Sequence, residues 1–236
     1  MPKIVESHAR RQMREALTHI TRNVRDFGVD EFNLRQLKGL NIRIDPLVLD
    51  ETSPHKSVYL ASYPGDLLPE TDAEALGGTY NGIDDDQPDS FFHCYSCPND
   101  RSHVVNNHPQ AYIQWMPSHE CFTVTDMDGP SYTHVKAIMQ NNMVAKDSTI
   151  LCGELLPALR IMLTQLKKQR FSHHMVSPYV QVMVISLVEM KARVIELYFS
   201  KGTLVVRPTK LYDFTHRNNA AFKTLAQWYL GKQYCC

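Results

Sequence analysis

Three runs near the C-terminus, "SPYVQVMVISLV" (177–188), "ARVIELYF" (192–199) and "GTLVVRPTKLYDF" (202–214), are rich in β-branched and aromatic residues and are joined only by "EMK" and "SKG". Such runs with polar, turn-forming joints predict a three-stranded antiparallel meander. Upstream, "AYIQWM" (111–116), "FTVT" (122–125) and "SYTHV" (131–135) alternate apolar and polar residues around "PSHE" and "DMDGP". A period of two predicts a second, shorter meander there. The DxDG that contains Asp126 and Asp128 reads as an aspartate-glycine hairpin turn rather than a catalytic metal pair.

Helical periodicity flanks both meanders. Leu155, Leu156, Leu159, Met162, Leu163 and Leu166 predict a helix from about Gly153 to Arg170, with Pro157 in its first turn and Lys167, Lys168 and Arg170 at the negative pole of its dipole. "NNAAFKTLAQWYLG" (218–231) predicts an Asn-capped helix closing at Gly231. Ile4, Ala9, Met13, Leu17, Ile20, Val24 and Phe27 predict an amphipathic helix over residues 4–27, ended by Gly28. Its other face carries Arg10, Arg11, Arg14, Arg22 and Arg25, either as a solvated face or as a contact for nucleic acid or a partner. The expected fold class is α+β: two short antiparallel β-meanders with packed helices and an N-terminal helical arm. The arm spans 1–45, an acidic loop region spans 46–90, and the α+β core spans 91–236, together as one compact domain.

The 236 residues are 43% hydrophobic and 21% charged, enough apolar side chain for a sizeable core. No run of about 18 apolar residues occurs, and the charged start of the chain is unlike a signal peptide. The expectation is an intracellular protein, cytoplasmic or nuclear, with no membrane span and with its six cysteines reduced. Net charge is zero, which excludes a uniformly basic nucleic-acid binder. Charge is nonetheless segregated: residues 46–100 hold eleven Asp/Glu and one Lys/Arg, whereas residues 101–236 hold fifteen Lys/Arg and eight Asp/Glu. An acidic segment so placed serves a partner or lies on the chain's own basic surface. Asp84, Asp85, Asp86 and Asp89 form its densest cluster, with a spacing unlike an EF-hand loop.

Two clusters hold candidate chemistry. In "FHCYSCPNDRSHVVNNHP" (92–109), Cys94, Cys97, His103 and His108 have the spacing C-x2-C-x5-H-x4-H. Two thiolates and two imidazoles suit one tetrahedral structural zinc, and the compact spacing is nearer to a single-strand-binding zinc knuckle than to a zinc finger; the other reading is a polar loop. Glu189 and Lys191 follow an apolar strand as E-x-K, an arrangement in which a carboxylate holds Mg²⁺ and an ammonium aids the attacking water. That chemistry needs a further acidic ligand, for which Glu154 and Glu196 are the neighbours in sequence, and "EMK" is equally a charged hairpin turn.

Cys152 stands at a helix start, where aligned N–H groups favour a thiolate, or is a small buried hydrophobe. His173 and His174, at the far end of that helix, are too distant to act as its base. Cys235 and Cys236 end the chain in a pair that lipidation machinery uses elsewhere. No P-loop, G-x-S-x-G, H-E-x-x-H or dinucleotide fingerprint is present.

The stretches "CGELLPALRIMLTQL" (152–166), "SHHMVSPYVQVMVIS" (172–186), "ARVIELYF" (192–199) and "LVVRPTKLYDF" (204–214), with Trp228, resemble a group of uncharacterised proteins from filamentous fungi. The resemblance implies a fungal source and carries over no functional residue. The functional expectation is a non-enzymatic binding protein with a protein partner. The alternatives are a zinc-ordered single-stranded nucleic-acid binder and a divalent-metal-dependent hydrolase or nuclease.

Overall fold

The computed structural model describes residues 6–68, 122–126, 134–141, 143–167 and 180–233. Its fold is α+β. Helix α1 (His8–Asp26) begins where the Ser7 hydroxyl accepts the Arg10 N–H, and the chain leaves it through Gly28 at φ 69°, a left-handed turn that glycine enters without strain. Strand β1 (Glu31–Asn33) leads directly into α2 (Leu34–Gly39). A reciprocal capping box starts α2: the Asn33 side chain accepts from Gln36 N–H at 3.0 Å, and the Gln36 side chain accepts from Asn33 N–H at 2.9 Å. Strand β2 (Ile42–Ile44) follows, then β3 (Leu60–Ala61), β4 (Phe122–Asp126), β5 (His134–Asn141) and β6 (Thr149–Leu151). Helix α3 (Cys152–Lys167), β7 (Gln181–Val188), β8 (Lys191–Ser200), β9 (Thr203–Pro208), β10 (Tyr212–Asp213), α4 (Asn219–Leu230) and β11 (Lys232–Gln233) complete the described chain.

The described strands of the two expected meanders lie in one sheet. Its order is β2-β9-β8-β7-β5-β4, with β10 also pairing β8. Strands β7, β8 and β9 form the antiparallel meander read from the sequence, but β5 joins it in parallel register with β7. A parallel pair needs a crossover connection, and α3, packed on both strands, supplies one. Strand β5 also runs on to Asn141, beyond its alternating part, because helices cover both faces of the sheet and every one of its residues is buried. Residues 111–116 lie outside the described residues. The third run of the C-terminal meander breaks after Pro208, and Tyr212 and Asp213 pair instead with Ala192 and Lys191. Helix α3 starts one residue earlier than expected, and Pro157 falls in its second turn rather than its first.

One face of the sheet is covered by α1 and α3, with Leu17, Val24, Leu155, Leu159 and Met162 packed over Val182, Val184, Ile195 and Val206. The other is covered by α4 and residues 47–68, with Phe222, Leu225 and Trp228 over Met183, Ile185 and Val194. Each side chain of this kind contributes about 1.5–3 kcal/mol when fully buried, so the two clusters account for the stability of a mixed sheet. Residues 6–45 of the expected N-terminal arm supply α1 to the first cluster and β2 to the sheet, where Ile42, Arg43 and Ile44 pair in parallel with Leu204, Val205 and Val206. In the expected acidic loop region, Leu47, Ser57, Leu60 and Leu68 are buried. No helix among the described residues is long and apolar enough to cross a membrane.

Candidate functional site

Cys94, Cys97, His103 and His108 lie outside the described residues, as do Asp84, Asp85, Asp86, Asp89, Asp128, His173, His174, Cys235 and Cys236. Glu189 sits in the β7–β8 turn at φ 51°, and Lys191 pairs with Val188 as the first residue of β8. The structure does not bring Glu154 or Glu196 to them: each is held by an arginine, on opposite faces of the sheet. Among the described residues no group of three His, Cys, Asp or Glu side chains is arranged to hold a metal. Cys152 is a buried free cysteine; burial first, then the Asp30 carboxylate, pushes its thiol up to about 11, the opposite of an activated thiolate.

Glu154 is wholly buried in the first turn of α3. Its carboxylate accepts from Arg193 Nε at 2.8 Å, from Arg193 Nη2, and from Leu151 N–H at 2.9 Å. Arg193 Nη1 donates onward to the carbonyls of Thr149 at 2.9 Å and Lys146 at 3.2 Å. Desolvating two charges is costly, and this network satisfies both partners while its carboxylate complements the helix N-terminus. It joins β6 and α3 to the sheet and leaves no group for chemistry.

The opposite face carries a second polar layer, set by register. Lys136, Met183, Glu196 and Arg207 lie in one row across β5, β7, β8 and β9; His134, Gln181, Tyr198 and Val205 lie in the next. Glu196 accepts from the Ser57 hydroxyl and from Arg207 Nη1 at 2.7 Å. Burial pushes its carboxyl up, against the pull of Ser57 and Arg207. Arg207 Nη2 also donates to the carbonyls of Pro46, His55 and Lys56 at 3.1, 2.8 and 3.0 Å. These bonds clamp residues 46–61 onto the sheet as a strap.

The strap carries Tyr59, stacked on His134 with ring centroids 5.9 Å apart and edge-on to Tyr198 at 5.2 Å. Lys136 Nζ donates to the carbonyls of Tyr229, at 2.6 Å, and Gly231. Gly231 has no room for a side chain, since a Cβ there would stand 2.1 Å from the Ala61 carbonyl oxygen in the β3–β11 pair. The signal for this layer was in the sequence: Lys136, Glu196 and Arg207 are charges inside otherwise apolar strands, and a buried charge requires a partner.

Among the described residues, β2 ends the strand order of the sheet. The Asn41 carbonyl accepts from Leu204 N–H at 3.3 Å and Asp45 N–H donates to the Val206 carbonyl at 3.1 Å. Alternate residues of a strand point their backbone groups to opposite sides, so Ile42 and Ile44 direct theirs away from β9. No strand among the described residues pairs with that side. A groove of about 380 Å³ runs along it, lined by Leu34, Lys38, Ile42, Arg43, Ile44 and Thr203. Leu34 and Lys38, one helical turn apart on α2, share the face that forms its wall, and Leu34 is 56% exposed.

No protein-family model, curated protein or solved structure matches the chain.

Proposed function

We propose that this chain is a non-enzymatic, intracellular protein-binding module, and that its partner docks an extended segment against β2. The observation that carries this reading is the β2 edge: among the described residues no strand pairs with the outward backbone groups of the half-buried Ile44, which lies beside an exposed Leu34. An unpaired strand edge is a template for strand addition, in which main-chain hydrogen bonds give affinity and side-chain pockets give specificity. Lys38 and Arg43 line the same groove, with Arg35 exposed on α2; Asp45 offsets Arg43 alone, through a 2.9 Å ion pair. The surplus positive charge favours a segment that alternates apolar and acidic residues. Two further observations support binding over catalysis: Glu154 and Glu196 are each consumed in a buried ion pair, and the buried thiol of Cys152 is disfavoured as a nucleophile. A free cysteine also agrees with a reducing compartment.

The test is an amide NMR titration of the full chain with two extended eight-residue peptides, one alternating Val and Glu and the other Val and Lys. The Val-Glu peptide is expected to shift the Ile44 amide, and the Val-Lys peptide to leave it in place. Equal response to both, or response to neither, contradicts the reading.

A further inference from the structure

We infer that Ser53, in the surface turn of the strap, is a phosphorylation site for a proline-directed serine kinase with ATP as the phosphoryl donor. The stretch "SPHK" (53–56) places proline directly after the serine and a lysine three residues on. Both positions carry a physical preference. A kinase pocket with no partner for the backbone N–H that follows the acceptor serine selects proline, which has none, and an acidic pocket further on selects a cation. No threonine of the chain precedes proline, and Ser177, the other serine that does, has Val180 in place of the lysine. Ser53 is therefore the serine that meets both conditions.

The fold leaves this acceptor within reach. Thr52, Pro54 and His55 are exposed and Ser53 is half-buried, whereas Ser57 is buried and its hydroxyl is given to Glu196. Among the described residues the Ser53 hydroxyl accepts one bond, from His55 N–H at 3.1 Å, and donates none, so its proton is uncommitted. The neighbouring Thr52 hydroxyl donates to the Asp50 carboxylate at 2.8 Å. The turn is closed by Ser53 N–H to the Asp50 carbonyl at 3.1 Å and by Lys56 N–H to the Ser53 carbonyl at 3.2 Å. Exposed turns open locally without global unfolding, which lets a kinase cleft take the segment as extended chain. Arg207 holds the carbonyls of His55 and Lys56 against this opening, so the folded chain is expected to react more slowly than a free peptide of residues 50–58. In the reaction the bond from Ser53 Oγ to the γ-phosphorus forms, the bond from that phosphorus to ADP breaks, and the hydroxyl proton passes to the kinase's base. The product carries about −1.5 to −2 charges at pH 7 on the segment that continues β2, with acceptor oxygens for the His55 N–H and the Lys56 ammonium.

ATP and such kinases are intracellular, so the site rests on the intracellular reading above; purified components test it independently of that reading. The full chain is incubated with a purified cyclin-dependent kinase, which selects both proline and the later cation, and Mg-ATP, beside the 50–58 peptide. Phosphate is located by tandem mass spectrometry. One phosphate on Ser53 is expected, with Ser177 unmodified, no incorporation at this turn in Ser53→Ala, and severalfold lower rates in Pro54→Ala and Lys56→Ala. A folded wild-type chain that takes up no phosphate overturns the inference, whether or not the peptide reacts. Phosphate on another residue in place of Ser53, or an undiminished rate in Pro54→Ala, overturns it as well.

Discussion

Arg207 on β9 and Glu196 on β8 are direct partners in antiparallel register, and the 2.7 Å hydrogen bond between Arg207 Nη1 and Glu196 Oε2 is buried beneath the strap that the same guanidinium holds through three backbone carbonyls. One side chain therefore does two separable things: it neutralises a buried carboxylate and it fastens residues 46–61. Arg207→Met strands the carboxylate and is expected to destabilise the fold by about 3–5 kcal/mol in urea denaturation. Glu196→Leu combined with Arg207→Met removes both charges and recovers most of that loss. The strap carbonyls stay unpaired in the double variant, so trypsin is expected to cut after Lys56 several-fold faster than in the wild type. Full recovery of protease resistance would show that Arg207 does not fasten the strap.

Protonation of His134 sets a second expectation. Its folded-state value of about 4 lies below the ordinary 6.5, so the unfolded chain takes up this proton more readily. The stability that the neutral ring contributes is complete above pH 6.5 and is lost as the pH falls toward 4. From pH 7 to pH 5 this amounts to about 2 kcal/mol. Glu196, whose carboxyl is pushed up, works in the other direction, because the folded state gains its proton first as the pH falls. His134→Gln is therefore expected to retain more stability than the wild type at pH 5 relative to pH 7, measured by urea midpoints. An unchanged slope contradicts a neutral, buried His134.

The β8–β9 turn places Lys201 at φ 49° and Gly202 at φ 83°. Two successive left-handed residues define the turn type that favours Asn-Gly. Lys201→Asn is expected to stabilise the protein by about 0.5–1 kcal/mol, read as a rise in thermal midpoint with unchanged secondary structure.

Leu34 tests the binding surface without touching the core. It is exposed, so Leu34→Glu is expected to leave the urea midpoint within about 0.5 kcal/mol of wild type. The same change places a carboxylate in the groove and is expected to weaken capture of the Val-Glu peptide at least severalfold. Equal capture would place the binding surface elsewhere.

How far the sequence carried depends on which signal each element used. The β7–β8–β9 meander was legible because its apolar runs are long and its joints are short, and α4 because Asn218 and Gly231 bracket its apolar stripe. Strand β2 and helix α2 leave no periodic signal, although Asn33 and Gln36 carry a capping-box spacing, because three- and six-residue elements hold too few positions to establish a period. The parallel pairing of β5 with β7 could not be read at all: it depends on α3 folding back over the sheet, a long-range fact with no local signature. In the sequence Glu154 and Glu196 are only the acids that flank Glu189; their arginine partners stand 39 and 11 residues away and become visible only when the strands are aligned.

The central claim is that β2 receives a partner strand through its outward backbone groups, and Ile44→Pro tests it most directly. The Ile44 N–H points away from β9, so proline removes no bond of the existing sheet and is tolerated at such an edge. It abolishes the donor that an added strand needs. Measured by calorimetric titration with the Val-Glu peptide, the account predicts a fold as stable as the wild type to within about 1 kcal/mol and an affinity at least about tenfold weaker. A folded Ile44→Pro protein that binds the peptide as tightly as the wild type would contradict it.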